Sequence, residues 1–238
     1  MSGLNLNNLQ SGATQIEIPK LEKDTYMSVL VGIVDLGDQL QTDWQTKEPK
    51  LDKFKNPLYA ARGLFIFEIP SEKFVSPEFE SKDEEGNVTI KTLTVIRRVY
   101  KEVSFTTNEK GGLMVLINDL NLMDIVNAAG GDIDAILGTK CMVEIDYTSG
   151  GNVKVKSVKK VPSMNKAIAE ATVAETEFYS FSMTNPDMNV WENVFRDGMR
   201  NRILEARNFT GSKLEAILGT VEGSGDEEID AETAGMLE

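Results

Sequence analysis

Between residues 44 and 62 the chain interleaves cations with aromatic rings: Trp44, Lys47, Lys50, Lys53, Phe54, Lys55, Tyr59 and Arg62. Ammonium and guanidinium groups neutralise phosphates and rings stack on bases, so this spacing fits the chemistry of gripping a single nucleic-acid strand. The same residue types recur at Arg97, Arg98, Tyr100 and Lys101, and again at Lys154 and Lys156. A bland role stands beside each. A run of lysines is the ordinary solvated face of a soluble domain, and Trp44 suits a stacking platform or a loop anchor equally. In a strand, neighbours such as Arg97 and Arg98 project to opposite faces, so these cations do not all share one surface. Structural ion pairing is the competing role for them and for Lys154 and Lys156. Phe65 and Phe67 fall on one strand face, as core residues or as a stacking pair, and both are carried as candidates.

Other chemistries are poorly served. There is no histidine, which removes the commonest general base and the usual nucleophile partners. The single Cys141 cannot form an internal disulfide, fits a reducing compartment and suits a small buried apolar role. Neither a phosphate-binding Gly-x-x-x-x-Gly-Lys-Ser/Thr loop nor a Gly-x-Gly-x-x-Gly turn occurs. Asp119, Asp124, Asp132 and Asp134 raise a metal-dependent nuclease, but helix starts and caps account for them. The expectation is a non-enzymatic protein without cofactor or metal. The N-terminus lacks a basic, apolar leader, and no apolar run reaches a membrane span.

The net charge of −13 hides an uneven distribution. Residues 222–238 carry Glu222, Asp226, Glu227, Glu228, Asp230, Glu232 and Glu238 with no Lys or Arg, leaving 25 basic against 31 acidic groups elsewhere, a net of −6. Residues 88–166 hold 11 Lys/Arg against 8 Asp/Glu, a net of +3. The acidic tail reads as disordered solubiliser or as a polyanion that competes for a basic groove and recruits partners.

The elements that must position these residues are mostly strands. Residues 26–36 form an apolar strand that ends at Gly37, with small Ser28 and Gly32 on the face of Leu30, open to a close neighbour. A long loop, 38–60, precedes a second strand over 63–70, and a turn at 83–87 precedes a β-run over 88–105. Leu122, Ile125, Val126 and Ala129 have helical spacing, Gly130-Gly131 ends that helix, and Asp132 caps a short successor. Strands 140–147 and 153–158 form a hairpin about 149–152, its second strand valine on one face and lysine on the other. Residues 163–176 are Ala-rich and read as a linker or an unanchored helix. A helix over about 190–208 places Trp191, Val194, Phe195, Ile203 and Ala206 on one face.

Several segments in this order carry a resemblance: Val31-Gly-Ile-Val-Asp-Leu-Gly-Asp-Gln39, Phe65-Ile-Phe-Glu68, Arg97-Arg-Val-Tyr-Lys-Glu-Val-Ser-Phe105, Ile136-Leu-Gly-Thr-Lys-Cys-Met-Val-Glu144, and Phe178-Tyr-Ser-Phe181 with Trp191 to Asn208. The chain resembles the tailed-phage OB-fold single-stranded DNA-binding proteins, departing from them in its long 38–60 loop and its long acidic tail. The resemblance implies a mainly β (α+β) fold, an OB-like five-stranded barrel with added helices. Composition and pattern divide the chain into four regions: a flexible arm over 1–20, an OB-like nucleic-acid-binding domain over 21–162, a linker and helical extension over 163–220, and a disordered acidic tail over 221–238. The resemblance also implies sequence-tolerant single-stranded DNA binding in phage replication or recombination, in the host cytoplasm. Partner proteins would be met through Asp226, Glu227, Glu228, Asp230 and Glu232, and a homo-oligomer is compatible. The rival expectation is a virion or assembly protein that uses a similar β-domain for protein contacts.

Overall fold

In a computed structural model, residues 19–43, 45–82, 88–92 and 94–223 are described. The strand β1 (Thr25–Leu40) is built from Val, Ile and Leu and bends at two bulges, between Leu30 and Gly32 and between Asp35 and Gly37. It pairs antiparallel with β2 (Tyr59–Glu68). Small ribbons follow: β3 (Phe74–Val75) with β6 (Thr94–Val95), and β4 (Phe79–Lys82) with β5 (Val88–Lys91). The expected run over 88–105 is thus three strands, of which β7 (Arg98–Ser104) joins β2. Then come α1 (Gly112–Leu120), α2 (Met123–Ala128) and a 3-10 turn over Ile133–Ile136. The hairpin of β8 (Lys140–Tyr147) and β9 (Val153–Lys160) completes the path β7-β2-β1-β8-β9.

The architecture is mixed α/β with a mostly antiparallel sheet, and the sheet is not closed into the expected barrel. Its end strands β7 and β9 approach to Cα separations within 8 Å without pairing. After α3 (Lys166–Ala171), the strand β10 (Tyr179–Phe181) pairs parallel to β1 at Gly32–Val34. A π-helical turn over Val190–Val194, α4 (Asp197–Leu204) and α5 (Lys213–Gly223) follow.

Each face of the sheet buries its own core. Leu30, Ile33, Phe65, Phe67, Val99, Val103, Cys141, Val143, Ile145 and Val158 pack under α1 and α2. Within α1, Leu113, Leu116, Ile117 and Leu120 are buried at helical spacing, and Asn121, at φ 56°, ends the helix. In α2 Val126 is buried, but Ile125 is 46 % exposed, so the expected apolar stripe is narrower. On the opposite face Val29, Val31, Val34, Leu36, Leu64 and Ile66 meet Phe181, Trp191, Phe195, Ile203 and Leu214 from the C-terminal segment.

The expected helix over 190–208 is two pieces. Phe195 and Arg196 adopt extended backbone between the π-turn and α4. The break lets both Trp191 and Phe195 enter the second core against Phe181, at ring-centroid distances of 5.7 and 4.9 Å. Arg200 then bonds the carbonyls of Trp191 and Glu192 at 2.9 and 2.7 Å, satisfying acceptors near the end of the turn. Gly32 also departs from expectation. The bulge breaks the alternation, so Gly32 lies on the second-core side, where an added Cβ would meet the Tyr179 ring at 2.7 Å. Its smallness admits that ring and β10.

Candidate nucleic-acid interface

The 38–60 segment is a stitched arm rather than a structureless loop. β1 and β2 extend into it, and the bridges Thr42–Pro49 and Leu51–Pro57 fold the remainder into two small turns. Asp43 accepts backbone N–H groups of Gln45 and Thr46, and Asp52 those of Phe54 and Asn56. These bonds hold both carboxyls below the usual carboxylate range. Each turn places a lysine in left-handed backbone, Lys47 at φ 63° and Lys55 at φ 67°, a conformation that non-glycine residues adopt rarely. Lys47, Lys50, Lys53 and Lys55 are all exposed. Phe54 is 71 % exposed, with the Lys53 Nζ 4.9 Å from its ring centroid. Trp44 lies outside the described residues.

From the arm the exposed surface passes from the start of β2 to β7, on the side that looks toward the C-terminal segment, where Leu64 and Ile66 of β2 are buried. Tyr59 sits at the start of β2 with the Arg207 guanidinium 5.3 Å from its ring centroid. Arg62 approaches Glu102 at 3.8 Å, and Arg202 bonds the same carboxylate at 3.0 Å, so two cations share one anion. Arg98, Tyr100 and Glu102 alternate onto this face, and Tyr100 is 52 % exposed. Arg98 donates to Thr176 Oγ1 at 3.1 and 2.8 Å. Thr176 in turn is held by Glu68, a fully buried residue whose carboxyl accepts the Glu175 and Thr176 N–H groups at 2.7 and 3.1 Å and the Thr176 hydroxyl. The arginine is thereby fixed by a buried relay.

At Arg98 the surface opens into two adjoining clefts of about 860 and 460 Å³, which share Arg98, Tyr179, Val194, Phe195 and Arg196. The smaller is walled by Arg97 and Tyr100, the larger by Phe178, Asn189 and Asn193. Arg196 is exposed and Phe178 is 53 % exposed. Burial, with the neighbouring Tyr100, pushes the Tyr179 hydroxyl up to about 12 against the pull of Arg98.

Several expected contacts fall elsewhere. Phe65 and Phe67 are 0 % exposed in the first core, so they have no face to offer a base; packing claims them. Lys101 points to the opposite side of β7 from Arg98 and Tyr100, toward the gap between β7 and β9. Partial burial lowers its pKa, with Asp119 opposing and Lys159 assisting. Arg97 bonds the Pro19 carbonyl. Lys156 pairs with Glu144 at 2.7 Å, which holds that carboxyl low, and Lys154 stands opposite Asp146 across the hairpin. Of these two lysines only Lys156 is ion-paired across the hairpin, since Asp146 pairs instead with Lys23 at 2.8 Å.

Among the described residues no group of three or more His, Cys, Asp or Glu is placed to hold a metal ion. Asp119 pairs with Lys159 at 2.9 Å, Asp132 caps the 3-10 turn, and Asp134 accepts from Ser180 at 2.6 Å. No helix among the described residues is long and apolar enough to cross a membrane. Asp226, Glu227, Glu228, Asp230 and Glu232 lie outside the described residues. Phe178, Tyr179, Asn189, Asn193 and Arg196 were not singled out by composition or spacing. The adjacent aromatic pair at 178–179 was the available signal. Compared with known proteins, the chain matches no family model, no curated protein and no solved structure.

Proposed function

We propose that this chain binds single-stranded DNA, as a non-enzymatic protein of phage replication or recombination, on an OB-type scaffold left open between β7 and β9. The strand order supports the scaffold: three antiparallel strands, a helical insertion, then a hairpin returning to the first strand. In OB folds the face of the second and third strands, with the loops joining strands one to two and four to five, takes oligonucleotides. Here those places hold the Arg98–Tyr100 face, the lysine arm and the turn at residues 148–152. The observation that carries the reading is the arm, which presents four exposed lysines beside an exposed phenylalanine. Phosphate neutralisation and base stacking need that pairing.

The carboxylates at 226–232 compete for the same cations or recruit a partner protein. A chain ending at Gly223 loses Asp226, Glu227, Glu228, Asp230, Glu232 and Glu238, moving net charge from −13 to about −7 by simple counting. It should bind more tightly at low salt, and unchanged affinity there removes the competition model. Exposed Leu51 and Phe54 on the arm also suit a protein contact, which favours the virion or assembly reading as the alternative. Titrating labelled single- and double-stranded oligonucleotides separates the two: single-strand preference supports the first, and equal, negligible affinity the second.

A further inference from the structure

Building on the single-strand reading, we propose that the larger cleft is a pocket for one unstacked base, selective for a base with an exocyclic amino group over thymine. Its volume of about 860 Å³ lies in the range of small-ligand sites. Phe178 supplies the stacking platform. Its ring is seated against Gly138, where an added Cβ would come within 2.8 Å and where φ is +81°, so backbone geometry and space both keep that position glycine. The ring is held there yet remains 53 % exposed.

Polar groups on the cleft wall make a directional pattern. The Asn193 amide donates to Asn189 Oδ1 at 2.8 Å. That bond leaves the Asn189 NH₂ as donor and Asn193 Oδ1 as acceptor, neither with a hydrogen-bond partner among the described residues. Asp187 uses Oδ1 on the N–H groups of Asn189 and Val190, at 2.9 and 3.3 Å, leaving its second oxygen to accept. Glu177 lines the same cleft. Asn193 Oδ1, the second Asp187 oxygen and Glu177 thus give this wall three acceptor groups. Cytosine, adenine and guanine each carry an exocyclic amino donor, whereas thymine has none and would set O4 against carboxylates. Arg98 and Arg196, where the two clefts join, take the flanking phosphates. Binding along the arm stays sequence-tolerant, and one position discriminates.

The test uses the full chain and a short labelled oligo-dT strand, compared with the same strand carrying one internal dC or dA. The single substitution should tighten binding about fivefold or more, within the range of one well-placed base contact. The double variant Asn189→Leu, Asn193→Leu, at exposed positions, should erase that gain while keeping the wild-type urea midpoint. Absence of any gain in the wild type overturns the pocket, and so does a gain that survives the double variant. A protein that binds no strand at all sinks the single-strand reading itself. One that binds all-dT with a normal salt slope and gains nothing from dC sinks the pocket alone.

Discussion

Replacing Lys47, Lys50, Lys53 and Lys55 together by alanine isolates the arm's contribution. None of the four forms an ion pair among the described residues, and all are exposed. Their loss should leave the urea midpoint nearly unchanged. Backbone bonds from Asp43 and Asp52, rather than the lysine side chains, hold the two turns together. If each ammonium neutralises one phosphate, the salt slope of single-strand binding should flatten by about 0.7 per lysine, or about 2.8 in all. Across a threefold rise in salt, that difference amounts to about 20-fold in how steeply affinity falls. Fluorescence anisotropy at several salt concentrations reads both quantities. A variant with the wild-type slope would refute the assignment of the arm to phosphates, and a collapsed urea midpoint would show the lysines to be structural.

Phe54 and Phe65 should behave as opposites. Phe54→Ala should cost about 1–3 kcal/mol of binding with little stability lost, while Phe65→Ala should cost about 3–5 kcal/mol of stability. Denaturation and strand titration on both variants check this, and a stability loss from Phe54→Ala would place that ring in packing. Glu68→Ala strands the Glu175 and Thr176 donors and frees the Thr176 that holds Arg98, so urea melts should show a loss of about 3 kcal/mol or more. A loss under about 1 kcal/mol would show that water satisfies those donors. Burial pushes the Cys141 thiol up to about 12. The unfolded thiol, titrating from its ordinary value of 9.0, gives up its proton first, so its contribution to stability declines as pH rises from 9 toward 12. At pH 8 a thiol reagent should therefore modify the protein only as fast as it unfolds, and prompt reaction of the native chain would contradict this.

The strands were legible because their patterns are local. Alternation placed β1, β2 and the β8–β9 hairpin, and it put Phe65 and Phe67 on one face. What alternation lacks is the identity of the buried face. Here both faces of β2 are covered, one by α1 and α2 and the other by the C-terminal segment, so no outward side was left for those rings. The bulge at Leu30/Gly32 reversed Gly32 without a local signal. Helical spacing over 190–208 was genuine, yet tertiary packing overrode it, since Phe195 reaches the second core only from a broken helix. The arm's lysines were plain in the sequence, but the Asp43 and Asp52 turns that present them were not. The clefts were least legible of all. Their walls come from Arg98, Phe178, Asn189 and Arg196, residues far apart in the chain that β10 and the π-turn bring beside β7.

The central claim is that the lysine arm and the Arg98–Tyr100 face grip a single strand. Its most direct measurement is the equilibrium titration of the full chain with matched single- and double-stranded oligonucleotides at low and high salt. The account predicts at least about tenfold preference for the single strand, with log affinity falling against log salt by about 0.7 for each phosphate neutralised. Equal, negligible binding to both, at either salt concentration, would contradict it.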